Sequence, residues 1–526
     1  MERLNSAPLY KLLLGAFLIV SLIFPLGSMI FNIAGTDIRA VVSLPQFRDA
    51  LNHSIMATVT GTIISIIFAW FFAMAVIRSR MPFRSVFAVL GTAPMLIPSI
   101  SHGMGLVLLL GSNGILTRLF NLSRPIYGFW GIVAGSVLYA FPVAFLMLAD
   151  ILAYEDGSPY EAATVLGIPK NRQFLAITFP YLRKPLVSVI FAVFTLIFTD
   201  YGVPLMIGGR YSTLPVLMYQ EVIGLLNFSR GSVIGSFLLI PALAAFLFDL
   251  LNRDRGNQNF TFQRKSVSGR VLRDMAAMIY AAVICIIIAL PLGMFAVLTF
   301  INNYPTDMAF SLANIARTMN LGAGRYLVNS VIIALAVSVL GTVLSYAIAY
   351  FTARSPGHIS SRILHLVSIT SLAVPGLVLG ISYVFFFKGS LLYGSLAMLV
   401  LVNIIHFMAS PYLMAYNSLG KLNANLEDVG LTLGVGRFFI LRDVIIPQTR
   451  ITILEMASYF FVNSMMTISA VSFLGTIRNK PVSLLITQFE AQLFLEGAAF
   501  VSTLILGCNL TVKLAVYFLK KRLAAE

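Results

Sequence analysis

The chain has 526 residues, is 59% hydrophobic and 11% charged, and carries a formal net charge of +16. Soluble globular domains are about a quarter charged, so this composition, with a mean hydropathy of +0.91, excludes a water-exposed fold and indicates an integral membrane protein. The positive charge calls for no nucleic acid, because a basic rim facing anionic lipid headgroups accounts for it.

A helix needs about 20 apolar residues to cross a bilayer. Such runs occupy 10–32, 55–77, 86–111, 128–152, 185–208 and 232–251, then 273–300, 327–352, 362–387, 390–417, 451–475 and 497–519. The predicted fold is therefore all-α, a polytopic membrane protein of about twelve helices in two tandem six-helix repeats. The runs are continuous rather than alternating, which favours helices over a barrel. The first run is longer than a signal-peptide core and lacks a convincing cleavage site before Gly35, so it reads as a retained helix.

Lys and Arg concentrate in alternate loops by roughly two to one, which puts both termini in the cytoplasm. Cys285 and Cys508 fall inside predicted spans without metal-ligand or redox spacing. The five histidines are scattered, so no metal site is expected. His102, in "PSISHGMG", is the one that invites inspection as a pore-lining group.

Between the fourth and fifth spans lies a polar island, "SPYEAATVLGIPKNRQFLAITFP" (158–180), and a version of it returns as "NLEDVGLTLGVGRFFILRDVIIP" (425–447). Gly167 and Pro180 have the same separation as Gly434 and Pro447. Upstream, Ser54 pairs with Ser330, Arg78 with Arg354 and Pro98 with Pro375. Six spans per half leave both halves in the same orientation, a parallel repeat. The expected domains are 1–251 and 271–526, joined by a basic, polar cytoplasmic linker at 252–270.

Each island encodes a short helix, a glycine stop and a second helix. Ser158 is the expected cap, Pro159 suits the first helical position and Glu161 stands where a capping box places its acid. Gly167 supplies a left-handed stop, and Pro180 is expected to end the second helix. In the later copy, Asn425 is the expected cap and Asp428 replaces Glu161. A two-turn helix is marginal alone in water, so two capped copies point to helices held by something outside the chain.

The order Glu161-Ala162-Ala163, Gly167, Ile177 and Pro180 resembles the EAA loop of ABC-importer permeases, binding-protein-dependent inner membrane components. The second copy departs from it, with Asp428-Val429-Gly430, but keeps Gly434 and Pro447. The resemblance covers both halves and implies a permease subunit in the fused two-half form. It implies that Glu161, Ala162, Ala163, Gly167, Pro180, Glu427, Asp428, Gly434 and Pro447 form coupling loops. Those loops would dock on two ABC ATPase subunits at the cytoplasmic face. No phosphate-binding loop of the G-x-x-x-x-G-K-[ST] type occurs here, so this chain is not expected to be the enzyme. No cofactor is expected on it; ATP and magnesium belong to the partner ATPases. A periplasmic or lipid-anchored binding protein would deliver solute to a bacterial inner membrane.

Candidate pathway residues follow each island. Asp200 and Tyr201, in "FTDYGVPLMIGG", border the fifth span, and an acid there is either functional or bonded to nearby backbone. Thr467 and Ser469 occupy the matching stretch of the second half. These segments resemble the branch of the family serving ferric iron, thiamine, polyamines and 2-aminoethylphosphonate. The phosphonate members are the leading expectation for the solute and ferric iron is the alternative. A twelve-helix secondary transporter is the rival class; it would carry buried charges for ion coupling and no matched islands.

Overall fold

The computed structural model describes residues 6–252, 269–355, 358–423 and 425–525. Long helices joined by short turns make up nearly all of it. In chain order these are α1 (Leu9–Ile33), α2 (Pro45–Arg78), α3 (Arg84–Leu96), α4 (Ser99–Leu119) and α5 (Phe129–Ala153). A short α6 (Ser158–Val165) precedes α7 (Phe174–Phe198). After α8 (Gly202–Ile207) come α9 (Phe228–Phe248) and α10 (Val271–Thr299). The second half repeats the plan with α11 (Ala323–Ala353), α12 (Ile359–Ala373), α13 (Gly376–Phe387), α14 (Leu396–Phe407) and α15 (Ala409–Gly420). It closes with α16 (Leu426–Thr432), α17 (Arg450–Met466) and α18 (Leu495–Leu523). The only strands among the described residues are β1 (Ile301–Asn303) and β2 (Asp307–Phe310), an antiparallel hairpin after α10.

The chain is an all-α polytopic membrane protein, with a span count that differs from the twelve expected. Among the described residues nine helices are long and apolar enough to cross a membrane. The bent pairs α12–α13 (111°) and α14–α15 (54°) bring the total to eleven if each is one span. The run at 451–475 falls short because α17 is only 17 residues long and Thr467 turns extended at φ −64°, ψ 135°. The run at 86–111 is interrupted at Pro98, where a 3₁₀ turn at Ala93–Leu96 hands over to α4. Pro375 does the same between α12 and α13, after the 3₁₀ turn Ser371–Ala373. A proline disfavours α geometry in the residue before it, and both Ile97 and Val374 leave the helical region there.

Two compact units emerge, and they cut across the two halves of the sequence. One comprises residues 39–217 and 240–312; the other comprises 1–38, 218–239 and 313–526. In the first unit α2 packs along α5, α7 and α10. Its core stacks Phe72 edge-on against Phe141 and Phe145. Close approach of α4 to α10 depends on Gly105, where a Cβ would come within 2.6 Å of Pro291. In the second unit α11 packs on α15 and α17, and α1 lies against α12 and α13. There the buried Lys11 donates to Ser361 Oγ at 2.9 Å, and Tyr383 donates to the Ser21 carbonyl at 2.6 Å. Most of the linker expected at 252–270 lies outside the described residues.

The repeat seen in the sequence recurs as matched contacts, one inside each unit. Ser54 Oγ accepts the Leu214 N–H at 2.7 Å, and Ser330 Oγ accepts the Val482 N–H at 2.7 Å. Both serines are buried within long helices, and each accepts an amide at the entry to a short helix, Leu214–Tyr219 in one unit and Leu484–Ala491 in the other, where backbone donors lack an intrahelical partner. A second pair is reciprocal. A Cβ on Gly202 would overlap Ser99 Oγ, and a Cβ on Gly376 would overlap Ser469 Oγ. The glycine and the serine have exchanged places between the units, and the close approach is kept.

Candidate functional site

Both islands fold as short helix, stop and second helix. In α6, Gly167 takes φ +68°, and in the later copy Gly434 takes φ +73°. The amide three residues past each helix folds back in the same way: Ile168 N–H to Ala163 O at 2.9 Å, and Val435 N–H to Gly430 O at 2.8 Å. This is the Schellman stop, which glycine adopts without a Cβ penalty.

The starts differ from expectation. Ser158 makes no capping bond; its N–H and its hydroxyl both donate to Asp156 Oδ1, at 3.0 and 2.9 Å. Asn423 Oδ1 accepts the Asn425 N–H at 3.0 Å in the same way. An Asx turn two residues upstream thus sets the entry to each helix, and the sequence signal was the matched Asp156 and Asn423. Pro180 also departs from its expected role of ending a helix. A π turn, Phe174–Thr178 in one copy and Leu441–Ile445 in the other, ends two residues before Pro180 and Pro447 respectively. The wider turn takes up the register change beside the proline. The chain therefore continues as helix through Pro180, and Pro447 lies in the short helix Ile446–Gln448.

Exposure divides the predicted coupling residues. Glu161, Ala162, Asp428 and both stop glycines are exposed, whereas Ala163 and Glu427 are buried. Leu166 and Leu433, each just before its glycine, are 75% and 74% exposed. The two leucines thus form a matched pair of exposed apolar side chains, one beside each stop. The Gly430 departure also has a packing cause. A Cβ there would overlap Ile440, whereas the matching position in the first copy is Ala163 and its neighbour is Gln173. Gln173 turns its amide to the Ile168 carbonyl at 2.7 Å.

Each island is tied to a membrane helix by an arginine. Arg78, at the end of α2, pairs with Glu155 and donates to the Leu152 carbonyl at 2.8 Å. Glu155 also accepts the hydroxyl of Tyr160 on α6, and Tyr160 bonds Thr178 at the start of α7. Burial first, and then the Glu155 carboxylate, push the Tyr160 phenol above its ordinary range, so it remains a donor. Arg354, after α11, pairs with Glu427 on α16 through a 2.7 Å Nε bond and a second guanidinium contact. It also donates to the carbonyls of Leu422 and Asn423 at 3.2 and 2.7 Å. The Glu427 bond raises the Arg354 pKa further, so that cation is fixed. Arg78, Arg354, Glu155, Tyr160 and Thr178 had no assigned role in the sequence, although the two arginines were visible as repeat partners.

The pathway candidates sit in local structure. Asp200 accepts the N–H groups of Val203 at 3.0 Å and Gly202 at 3.4 Å, and so caps α8. Tyr201 is buried. In the other unit, Thr467 is buried with its carbonyl accepting Ser483 Oγ at 2.6 Å, and Ser469 faces Gly376. His102 is buried on α4, with Nδ1 3.3 Å from the Ser99 carbonyl and its ring beside Tyr139.

Comparison with known proteins agrees with this doubled plan. The family described as binding-protein-dependent transport system inner membrane component matches residues 61–254 and again 345–525. A putative ferric transport system permease protein of Haemophilus influenzae is 27% identical over 433 residues, 79% of this chain and 68% of the relative. A ferric transport system permease protein of Actinobacillus pleuropneumoniae is 26% identical over 77% of this chain and 61% of its own length. A thiamine transport system permease protein of Brucella abortus is 29% identical over 179 residues, 32% of this chain and 33% of the relative. The chain thus spans about two thirds of the length of these ferric relatives.

Proposed function

We infer, for a chain that belongs to the binding-protein-dependent transport system inner membrane component family, that it forms the membrane path of an ABC importer for ferric iron. The observation that carries the coupling role is the pair α6 and α16, each with a left-handed glycine stop and an exposed leucine before it. Two ATPase subunits, binding ATP and magnesium, would grip these helices from the cytoplasm, where both termini also lie on the positive-inside reading. Closure of the ATPases would draw the islands together and rock the membrane helices between inward- and outward-facing arrangements. A binding protein on the opposite face would supply the solute.

The solute assignment reverses the order expected from the sequence. Relatives matching more than three quarters of this chain are named for ferric iron, and a shorter match is named for thiamine. A phosphonate finds no support in those names. The alternative reading is therefore the one retained, with iron as cargo.

Two measurements test this. Leu166→Asp combined with Leu433→Asp should abolish co-purification with the cognate ATPase while membrane insertion persists. Cells dependent on this transporter should accumulate radiolabelled ferric iron, and uptake of 2-aminoethylphosphonate or thiamine in its place would overturn the solute.

A further inference from the structure

The end of α2 and the start of α10, two helices long and apolar enough to cross a membrane, lie side by side. Between them lies a groove of about 350 Å³, lined by Pro82, Gly269, Arg270, Asp274, Met275 and Met278. Its floor is apolar, and Met275, half exposed, lies along it. Its mouth is basic. The Asp274 carboxylate accepts the backbone N–H groups of Arg270 at 3.1 Å and Arg80 at 3.2 Å. It is also held by the Arg273 guanidinium at 2.8 Å. Asp274 is thereby fully engaged, which leaves the Arg80 and Arg270 guanidiniums exposed at the rim with no carboxylate partner among the described residues. The Arg80 side chain lies over Gly269, 3.6 Å from where a Cβ would stand there.

One further feature marks the site as interfacial. Phe83, in the turn between α2 and α3, takes φ +57° and is 74% exposed. A bulky residue in the left-handed region is uncommon and costs of order a kilocalorie per mole or more. Here it leaves an aromatic ring exposed next to Pro82 of the groove, and aromatic rings are enriched where membrane helices meet headgroups.

We propose that this groove binds an anionic phospholipid, with the phosphate between Arg80 and Arg270 and the upper acyl chain along Met275 and Met278. The ligand chemistry is set by the combination. Two guanidiniums with no carboxylate partner among the described residues select a phosphate bearing net negative charge, and an apolar floor beside them suits a chain rather than a soluble anion. A zwitterionic lipid brings its own cation to the same rim and gains less. The groove holds the head and the first methylenes while the remaining chain stays in the bilayer.

The test uses the full chain in nanodiscs of phosphatidylethanolamine with a minor share of phosphatidylglycerol. Native mass spectrometry should find phosphatidylglycerol retained on the protein well above its share of the bilayer. Arg80→Gln with Arg270→Gln should cut that retention at least fivefold, leaving retained phosphatidylethanolamine unchanged. Because both side chains are exposed, the variant should insert and melt like the parent in pure phosphatidylethanolamine. Raising the phosphatidylglycerol share should raise the parent's melting temperature and not the variant's. Equal retention by parent and variant, or displacement of the lipid by millimolar inorganic phosphate, would overturn the proposal.

Discussion

Arg78 and Glu155 close a buried ion pair between the end of α2 and the entry to α6, and Tyr160 of α6 donates to the same carboxylate. In the other unit Arg354 finds its carboxylate inside the helix itself, at Glu427. The arginines correspond in the repeat and the acids do not, since Glu427 stands where the first copy has Tyr160. Each membrane helix is nevertheless anchored to its short helix by a guanidinium that also holds main-chain carbonyls. On the proposed coupling role, motion imposed on the short helix would pass to the long one through this polar joint.

Removing one partner of such a pair leaves a buried charge uncompensated, at a cost of about 3 kcal/mol. Glu155→Gln and Glu427→Gln should therefore each lower the melting temperature in nanodiscs. Arg78→Met with Glu155→Met should cost less than the sum of its single changes. Strictly additive effects would show that the pair is not coupled.

The stop glycines predict a purely conformational penalty. No atom lies within 4 Å of a Cβ placed on Gly167 or Gly434, so Ala meets only the left-handed backbone, worth about 1–2 kcal/mol. Gly167→Ala and Gly434→Ala should weaken ATPase binding roughly tenfold by fraying α6 and α16, while Gly167→Asn is milder. A binding titration on the purified full chain distinguishes these outcomes.

Gly430 behaves differently, because its added methyl would overlap Ile440. Gly430→Ala should destabilise the protein by about 1–3 kcal/mol through overpacking. Adding Ile440→Gln, which copies the Ala163–Gln173 pair of the first island, should recover most of that loss. If it does not, the second island's departure from Glu-Ala-Ala has a cause other than packing.

The exchanged contact offers a parallel test in the membrane core. Gly202→Ala should be poorly tolerated because of Ser99, and Gly376→Ala because of Ser469. The double change Gly202→Ser with Ser99→Gly imports the arrangement of the second unit. Its melting temperature should lie within a few degrees of the parent's, whereas Gly202→Ser alone falls well below.

Ser54 and Ser330 each satisfy one buried amide. Their replacement by Ala should cost about 1–3 kcal/mol, the penalty of an orphaned donor. Hydrogen exchange should quicken at Leu214 and Val482 respectively, and unchanged protection at both amides would rule out this role.

Composition alone settled that the chain lives in a bilayer, because 11% charge cannot clothe a soluble fold. The spacing of Gly167 to Pro180 and Gly434 to Pro447 settled that it is doubled and carries two short helices with glycine stops. Those features are local: a left-handed residue and a capped turn depend on their immediate neighbours, and the sequence states those neighbours. What the sequence could not decide depends on residues far apart in the chain. Whether Glu427 faces a partner or Arg354, and why Gly430 is not Ala, turn on a side chain brought close by folding. Whether α1 packs with its own half or with α12 and α13 is set by the same long-range packing. Even the span count shifted for this reason, since Pro98, Pro375 and Thr467 break apolar runs that hydropathy reads as continuous. An apolar run records that a segment prefers lipid or core to water; only the tertiary structure decides where it bends and what it touches.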